Sequence, residues 1–217
     1  MIADFEKVEG QGLTKIYGVT RALAGIDVSF GAGTVTVIKG PNGSGKSTLL
    51  ALLGMLSKAT RGIVRYGEFD ASNAPSLRRR IGLMAHEAMV YPDLSGIENL
   101  LFVARLYSLD FPTRRVKQLR DRFALDLFAE RPTRTYSRGQ LQRLALARAV
   151  IHEPRLLLLD EPTTGLDSAS VERLVSALEE EKKRGTISVL VTHDAGFAER
   201  LADRCYQLRR GSIVETA

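Results

Sequence analysis

The sequence has a single cysteine, Cys205, and no tryptophan among its 217 residues. One cysteine excludes an internal disulfide, and the chain gives no indication of an oxidising compartment. No apolar run approaches the roughly 20 residues that a membrane-spanning helix needs. The first residues include Asp4, Glu6, Lys7 and Glu9 and lack the basic start and apolar stretch of a signal peptide. We therefore expect a soluble, cytoplasmic chain.

An excess of positive charge raises the question of a nucleic-acid partner. Lys and Arg total 31 and Asp and Glu total 25, which gives a formal charge of +6. The basic residues are scattered, however, and aromatic residues do not alternate with them as a platform for stacking bases would require. A solvated basic surface explains the charge better, so no nucleic-acid partner is expected. The length fits one domain with a real hydrophobic core.

Strand-like and helix-like patterns alternate along the chain. Residues 21–30 alternate weakly between apolar and polar, and residues 34–40 are rich in β-branched side chains. A wholly apolar run within 155–160 is typical of a strand buried on both faces of a sheet, and residues 186–194 predict a further buried strand. Strands that alternate with helices predict an α/β fold with a parallel sheet.

Helical spacing marks the segments between these strands. Leu49, Leu52, Leu53 and Leu56 fall on one predicted helix face. Residues from about 87 to 150 carry further apolar stripes and read as mostly helical. We therefore expect a helical subdomain in the middle of the chain, grafted onto the sheet.

A nine-residue loop between the predicted strand and helix matches the phosphate-binding P-loop pattern completely. Its glycines let the backbone curl so that successive N–H groups point at phosphate oxygens, and the helix N-terminus adds a partial positive charge. Lys46 would reach the β- and γ-phosphates of ATP, and the Ser47 hydroxyl would ligate Mg²⁺. A plain glycine turn has no need of this Lys-Ser pair. The ATP-binding residues predicted here are Gly40, Pro41, Asn42, Gly43, Ser44, Gly45, Lys46, Ser47 and Thr48.

Three further polar residues lie at the ends of these two predicted buried strands. Asp160 ends the first run, where a P-loop fold needs a carboxylate to hold Mg²⁺, usually through water. Glu161 follows directly and could polarise an attacking water. His193 lies at the end of the second predicted strand, where a neutral imidazole could hydrogen-bond the γ-phosphate and orient that water. An isolated histidine is more often structural, and it is the P-loop upstream that favours catalytic roles.

These residues, in this order, resemble the ABC ATPase family over nearly the whole chain. Tyr17 resembles the aromatic residue on which that family stacks adenine. Residues 136–149, YSRGQLQRLALARA, resemble the family's signature sequence, which ordinary P-loop enzymes lack. Residues 163–167, TTGLD, resemble the loop that follows the Asp-Glu pair in the family.

The resemblance implies a single ABC ATPase domain over residues 1–217. A P-loop NTPase core of the RecA-like type would take up residues 1–85 and 151–217, with a parallel sheet and N-terminal antiparallel β strands. An inserted α-helical subdomain would take up about 86–150 and carry the signature.

The resemblance also implies a mechanism. Two identical chains close head-to-tail on two ATP molecules, and hydrolysis reopens them. Glu161 is the implied general base, His193 assists it, and Lys46 with Mg²⁺ stabilises the transferring phosphoryl group. The signature begins a helix, whose positive end would face the γ-phosphate held by the second subunit. The residues expected to face that ATP are Ser137, Gly139, Gln140 and Asp167.

Two positions depart from the family pattern. The signature usually reads Leu-Ser-Gly-Gly-Gln, and Arg138 replaces its first glycine. His86 stands where the family usually places a glutamine that contacts Mg²⁺ and the lytic water. This makes His86 a third candidate Mg²⁺ ligand beside Ser47 and Asp160, although imidazole is a poor ligand for so hard an ion. Either His86 holds the water by a hydrogen bond, or Glu87 contacts the metal, or His86 merely marks the hinge into the helical subdomain.

The resemblance implies an ATP-hydrolysing subunit that powers an ABC transporter from the cytoplasmic face of the membrane. It would dock on separate transmembrane chains through residues around 86–110. Within this segment the sequence looks most like the exporter branch that includes the haem-exporter ATPases of cytochrome c maturation. Two alternatives stay open. One is a soluble ABC ATPase that drives assembly, such as iron–sulfur assembly, and the other is a nucleotide-gated binding module that hydrolyses poorly.

Overall fold

The computed structural model describes residues 4–70 and 74–216. Its strands are β1 (Lys7–Tyr17), β2 (Thr20–Gly31), β3 (Val35–Lys39), β4 (Arg61–Tyr66), β5 (Ile81–Met84), β6 (Leu156–Asp160), β7 (Ile187–Val191), β8 (Arg204–Arg209) and β9 (Ser212–Thr216). Its α-helices are α1 (Lys46–Leu53), α2 (Ala74–Arg78), α3 (Gly96–Leu106), α4 (Pro112–Arg122), α5 (Arg138–Val150), α6 (Ser168–Lys183) and α7 (Ala195–Leu201).

The strands form two sheets. β1 is the central strand of an antiparallel sheet in the order β2-β1-β4. The second sheet has the order β5-β6-β7-β3-β8-β9, and within it β8 and β9 form an antiparallel pair while the other neighbours are parallel. The predicted α/β class, with a parallel sheet and N-terminal antiparallel strands, is confirmed.

The apolar run of β6 is explained by burial on both of its faces. Leu156 and Leu158 pack into one hydrophobic core, together with α1 and the antiparallel sheet. Leu157 and Leu159 pack into a second core, together with α3 to α7. Each fully buried leucine stabilises the fold by roughly 2 kcal/mol. The parallel sheet therefore lies in the interior, between the antiparallel sheet on one side and the helices on the other.

Helix α1 packs its leucines between the two sheets. Leu49, Leu52 and Leu53 of the predicted stripe are buried, but Leu56 is 60% exposed. The prediction that Leu56 shares this face is wrong because the helix ends at Leu53. Gly54 caps it, and Met55 then adopts a left-handed φ of 56° that turns the chain away.

The middle of the chain forms three helices, α3, α4 and α5, as its apolar stripes predict. Arg122, at the end of α4, ties this region to α6. Its guanidinium donates to the Ala177 carbonyl at 2.8 Å and lies 3.4 Å from the buried Glu181 carboxylate. The helical region is thus anchored to the sheet-bearing part of the molecule. Among the described residues, no helix has the length and apolarity needed to cross a membrane.

A neutral, largely buried histidine lies just beyond α5. The His152 ring stacks on Tyr107, with centroids 3.9 Å and planes 13° apart. Its Nε2 donates to the Ile81 carbonyl at 3.1 Å. Burial lowers the pKa of His152 to about 4, against the opposing effect of that hydrogen bond. The ring therefore carries no charge in the folded protein at neutral pH.

We expect His152 to make the fold sensitive to acid. In the unfolded chain the pKa of histidine is about 6.5, so between that pH and about 4 the unfolded chain binds a proton that the folded protein does not. The free energy of unfolding should therefore fall, by up to about 3 kcal/mol, as the pH drops through this window. Urea unfolding at neutral and acidic pH measures the fall. In His152→Phe, which keeps a ring against Tyr107, most of it should disappear, and an equal fall in both proteins would contradict the assignment.

Candidate active site

Three neighbouring parallel strands end at one edge of the sheet. β3 ends at Lys39 before the P-loop, β6 ends at Asp160, and β7 ends at Val191, two residues before His193. Because β6, β7 and β3 are adjacent and parallel, their carboxyl ends meet. This is the edge at which open α/β sheets bind ligands. The fold therefore brings the predicted phosphate loop and the predicted catalytic residues together.

The P-loop backbone requires glycine at two positions. Gly40 has a φ of 152°, and a Cβ there would lie 2.1 Å from the Leu208 carbonyl oxygen. Gly45 has a φ of 107°, and a Cβ there would lie 2.5 Å from the Ala22 carbonyl oxygen. Any side chain at either position would collide with backbone, so the shape of the loop depends on them. Pro41, Asn42 and Gly43 are exposed at the tip, and Ser47 and Thr48 lie in the first turn of α1.

Backbone carbonyls of the P-loop hold the side chain of its lysine in place above the loop. Lys46 is only 7% exposed, and its Nζ donates to the Gly40 carbonyl at 2.8 Å and the Pro41 carbonyl at 3.1 Å. The buried Ser44 Oγ has no hydrogen-bond partner among the described residues. A buried cation and an uncommitted hydroxyl beside a helix N-terminus suit an anion such as a polyphosphate.

Hard oxygen ligands for a divalent cation lie next to the loop. The Ser47 hydroxyl donates to Asp160 Oδ2 at 2.8 Å, and Asp160 is buried. No cluster of three or more His, Cys, Asp or Glu side chains able to hold a metal occurs within residues 4–70 and 74–216. A hydroxyl and one carboxylate fit Mg²⁺, which takes one or two carboxylates and completes its shell with water and substrate phosphates.

Glu161 is held in a strained backbone conformation at the sheet edge. Its φ is 51°, which costs a non-glycine residue about 1 kcal/mol. Its N–H donates to the Val191 carbonyl, and its own carbonyl accepts from Gln142 Nε2, both at 2.8 Å. The carboxylate accepts from the His193 N–H at 3.3 Å and lies 3.4 Å from His193 Nε2. The predicted base and the predicted histidine are therefore in direct contact.

The signature residues form the capped start of α5. Ser137 Oγ accepts from the Gln140 N–H at 3.3 Å, and Gln140 Oε1 accepts from the Ser137 N–H at 3.0 Å, which is a complete capping box. A Cβ on Gly139 would lie 2.5 Å from the Gly165 carbonyl oxygen. Gly139 is thus required for close packing within the chain, and Ser137 remains exposed beside it.

Two other predicted contact residues lie at the surface. Asp167 caps α6 by accepting from the Ser170 N–H at 2.8 Å. Hydrogen bonds from the side chain and backbone of Ser170 hold the pKa of Asp167 below its ordinary value. Tyr17 ends β1 and is half-exposed, and Lys15 Nζ lies 4.8 Å from the centroid of its ring. Both side chains are exposed enough to contact a ligand or another chain.

His86 lies two residues beyond β5 and is exposed. It lines a cavity of about 110 Å³ together with Asp160, Glu161 and Arg138. The sequence marks Arg138 only as a departure from a pattern, and no sequence signal singles out Gln142, whose amide supports the Glu161 backbone. Contacts between residues so far apart in the chain become visible only in the fold.

A P-loop at the end of an interior parallel strand, with an Asp-Glu pair and a histidine on neighbouring strand ends, defines a P-loop nucleotide-binding protein. The family described as ABC transporter matches residues 23–164. The chain therefore belongs to the ABC transporter family and carries its ATP-binding, ATPase domain.

Individual relatives agree with this assignment. The chain is 38% identical over 210 residues to the daunorubicin/doxorubicin resistance ATP-binding protein DrrA of Streptomyces peucetius, with 95% of this chain and 64% of DrrA covered. It is also 38% identical over 214 residues to the sulfate/thiosulfate import ATP-binding protein CysA of Xylella fastidiosa, covering 95% of this chain and 62% of CysA. The chain thus spans less than two thirds of either protein. The fold matches the dimeric post-hydrolysis structure of the ATP-binding cassette MJ0796 bound to ADP and Pi, with a TM-score of 0.88, 29% identity and 97% of both chains covered.

Proposed function

We propose that this chain is the ATP-hydrolysing subunit of an ABC exporter, working as a homodimer at the cytoplasmic face of a membrane with separate transmembrane chains. The observation that carries the proposal is the sheet edge where the P-loop, the Asp160–Glu161 pair and His193 meet.

ATP binding is assigned to the P-loop and to Tyr17. The loop N–H groups and the α1 N-terminus surround the phosphates, and Lys46, already placed over the loop by two carbonyls, turns its charge to the β- and γ-phosphates. Tyr17 stacks on the adenine from its exposed position at the end of β1. Ser47 and Asp160 would hold Mg²⁺, which neutralises phosphate charge when bound.

Hydrolysis is assigned to Glu161 acting on water. Its carboxylate accepts the proton of the attacking water, and the water oxygen bonds to the γ-phosphorus as the bond to the bridging oxygen of ADP breaks. His193 lies beside Glu161 and within reach of the same edge, so it orients the carboxylate and the γ-phosphate. The strained Glu161 backbone, fixed by two 2.8 Å hydrogen bonds, keeps the carboxylate in one place.

Dimerisation is assigned to the signature surface. Ser137, exposed at the α5 N-terminus, offers its hydroxyl and the positive end of the helix dipole to a γ-phosphate held by a second chain. Gly139, Gln140 and Asp167 shape that surface, the last two by capping helices. The dimeric state of the similar cassette MJ0796 supports the proposal.

Docking on a transmembrane chain is assigned to an apolar face of the helical subdomain. Tyr91 and Phe102 meet edge to face with ring centroids 5.0 Å apart, and they are 53% and 43% exposed. Leu106 lies one helical turn after Phe102 on α3 and is 66% exposed, and Met89, two residues before Tyr91, is 51% exposed. Exposed apolar side chains grouped in one segment are typical of an interaction surface. The face falls within the 86–110 segment expected to receive the transmembrane partner.

Two similarities support export as the direction of transport. The 86–110 segment resembles exporter ATPases, and the chain is similar to the resistance protein DrrA. The chain has the same 38% identity to the import protein CysA, so identification of the partner chain is needed to establish the direction of transport. Membership of the haem-exporter branch stays a sequence-based prediction. The identity of the transmembrane partner would indicate the transported substrate.

The test is affinity purification of the tagged chain from detergent-solubilised cells of its host, with mass spectrometry of the proteins that accompany it. A polytopic membrane protein in stoichiometric amount is the expected result. Leu106→Asp should lose this partner, because a carboxylate on the apolar face is costly to bury, while ATP hydrolysis by the purified chain stays unchanged.

Leu127→Asp provides the matched control, since Leu127 is also an exposed leucine of the helical subdomain, 95% exposed, outside the proposed face. It should retain the partner. Recovery of a soluble partner alone would overturn the transporter assignment in favour of a soluble assembly ATPase. Loss of the partner in both variants would overturn the proposed face.

A further inference from the structure

The signature helix and the proposed general base are joined within one chain. Gln142, in the second turn of α5, donates from Nε2 to the Glu161 carbonyl at 2.8 Å. Gly139 lies three residues earlier, on the same face of the helix, and a Cβ built there would lie 2.5 Å from the Gly165 carbonyl oxygen. One face of α5 therefore contacts both ends of the loop that begins with Glu161 and ends with Gly165.

The backbone of Glu161 depends on these contacts because its conformation is strained. Its φ of 51° lies in the left-handed region, which costs a non-glycine residue about as much as one hydrogen bond contributes. Its N–H donates to the Val191 carbonyl at 2.8 Å, and its carbonyl accepts from the Thr164 N–H at 3.2 Å as well as from Gln142. Val191 and Thr164 belong to the sheet edge and to the loop itself, whereas Gln142 belongs to the signature helix. Loss of the Gln142 bond would therefore shift Glu161 toward relaxed conformations.

The same helix has a second task at its N-terminus. Ser137, the N-cap of α5, is exposed and is the residue proposed to meet the γ-phosphate held by a second chain. Ser137 and Gln142 lie five residues apart at the start of one continuous helix of 13 residues with a complete capping box, so they shift together. A displacement of α5 by the second chain's ATP therefore reaches the Glu161 carbonyl through a single side chain.

We propose that Gln142 is a positioning residue through which the signature helix controls the general base of its own chain. The inference rests on the proposed ATPase dimer and names a regulation of its active site. The Gln142 amide keeps the Glu161 backbone in its strained conformation, and this holds the carboxylate beside His193. A displacement of α5 against the ATP of a second chain changes this hydrogen bond, and with it the rate at which the chain hydrolyses its own ATP.

Gln142→Met tests the positioning role, because methionine keeps the length of the side chain and has no donor. We expect kcat to fall by about fivefold, the factor that corresponds to one hydrogen bond, while the KM for ATP changes little. Gln118→Met is the matched control, since Gln118 is an exposed glutamine of α4, and it should hydrolyse ATP normally. An unchanged kcat in Gln142→Met, or a rise in KM without a fall in kcat, would overturn the role.

A readout other than turnover separates positioning of the base from dimer closure and from loss of the fold. In a Glu161→Gln background, Gln142→Met should still give an ATP-dependent dimer by size-exclusion chromatography, because Gln142 contacts the backbone of its own chain. MgATP should also still raise its Tm, which shows a folded chain with an intact phosphate site. Loss of the dimer with the Tm shift retained would overturn the proposal and place Gln142 at the interface between the chains.

A double-mutant cycle with Ser137→Ala tests the link from the start of α5 to the base. Ser137→Ala should lower kcat by a smaller factor in Gln142→Met than in the unmodified chain, because Gln142 carries the effect of the helix to Glu161. Protein and MgATP concentrations that saturate the dimer restrict the comparison to the rate within it. Equal factors in both backgrounds would overturn the link. Absence of any hydrolysis by the unmodified protein would overturn the proposed function itself, whereas normal hydrolysis with an unchanged kcat in Gln142→Met would overturn only the role of Gln142.

Discussion

Glu161→Gln is expected to slow ATP hydrolysis by about 10³-fold and to leave ATP binding nearly intact. The amide keeps the shape of the side chain and its contact with the His193 N–H, but it cannot take a proton from water. The phosphate cradle is untouched, because Lys46 is positioned by the loop carbonyls and not by Glu161. Steady-state phosphate release and equilibrium binding of ATP measure the two quantities separately.

The same substitution should accumulate a dimer that depends on ATP. If hydrolysis is what reopens two chains closed on ATP, a chain that binds ATP and cannot hydrolyse it stays closed. Size-exclusion chromatography with light scattering should show monomer without nucleotide and dimer with saturating MgATP. Glu130→Gln is the control, since Glu130 is an exposed carboxylate of the helical subdomain, and it should hydrolyse ATP normally. Strictly monomeric elution of Glu161→Gln with MgATP would contradict the dimer mechanism.

The phosphate loop could be predicted from the sequence because its signal is local. The spacing of Gly40, Gly45 and Lys46 is itself the requirement, and the structure shows backbone lying where a side chain at either glycine would be. The meeting of Asp160 with the loop was also foreseeable, because each follows an apolar run and parallel strands end at one edge. Local sequence patterns, together with the rule that parallel strands end at the same edge of a sheet, were sufficient to predict these parts of the site.

Tertiary contacts between residues that are distant in the sequence could not be predicted in this way. Nothing in the sequence says that Arg138 lies over Gly165 or that Gln142 supports the Glu161 backbone. The end of α1 differs from the sequence-based prediction for a related reason. Periodicity continued through Leu56, but the cap at Gly54 and the turn after it ended the helix first. Long-range contacts and backbone turns outweighed side-chain spacing at these places.

Lys46→Met is expected to weaken ATP binding by at least about 100-fold, the largest loss of affinity that a single side chain here should cause. Methionine keeps the length of the stem and removes the cation that the loop holds between the Gly40 and Pro41 carbonyls. A ligand that binds only the folded protein raises its melting temperature, so MgATP should raise the Tm of the unmodified chain and leave that of Lys46→Met unchanged. Lys39→Met, a lysine at the end of β3, is the control and should keep the shift. A normal shift in Lys46→Met would remove Lys46 from the phosphate site.

Combining Lys46→Met with Glu161→Gln connects the two expectations. In the proposed dimer, each chain presents its signature surface to the ATP that the other chain binds. A chain that cannot bind ATP therefore cannot form this dimer, whether or not its general base is intact. The double variant should therefore remain monomeric at MgATP concentrations that dimerise Glu161→Gln. A dimer of the double variant would mean that the chains associate through a surface independent of the nucleotide. In that case the signature contact at Ser137 would not be what joins them, and the head-to-tail arrangement would have to be abandoned even if every step of the proposed hydrolysis held.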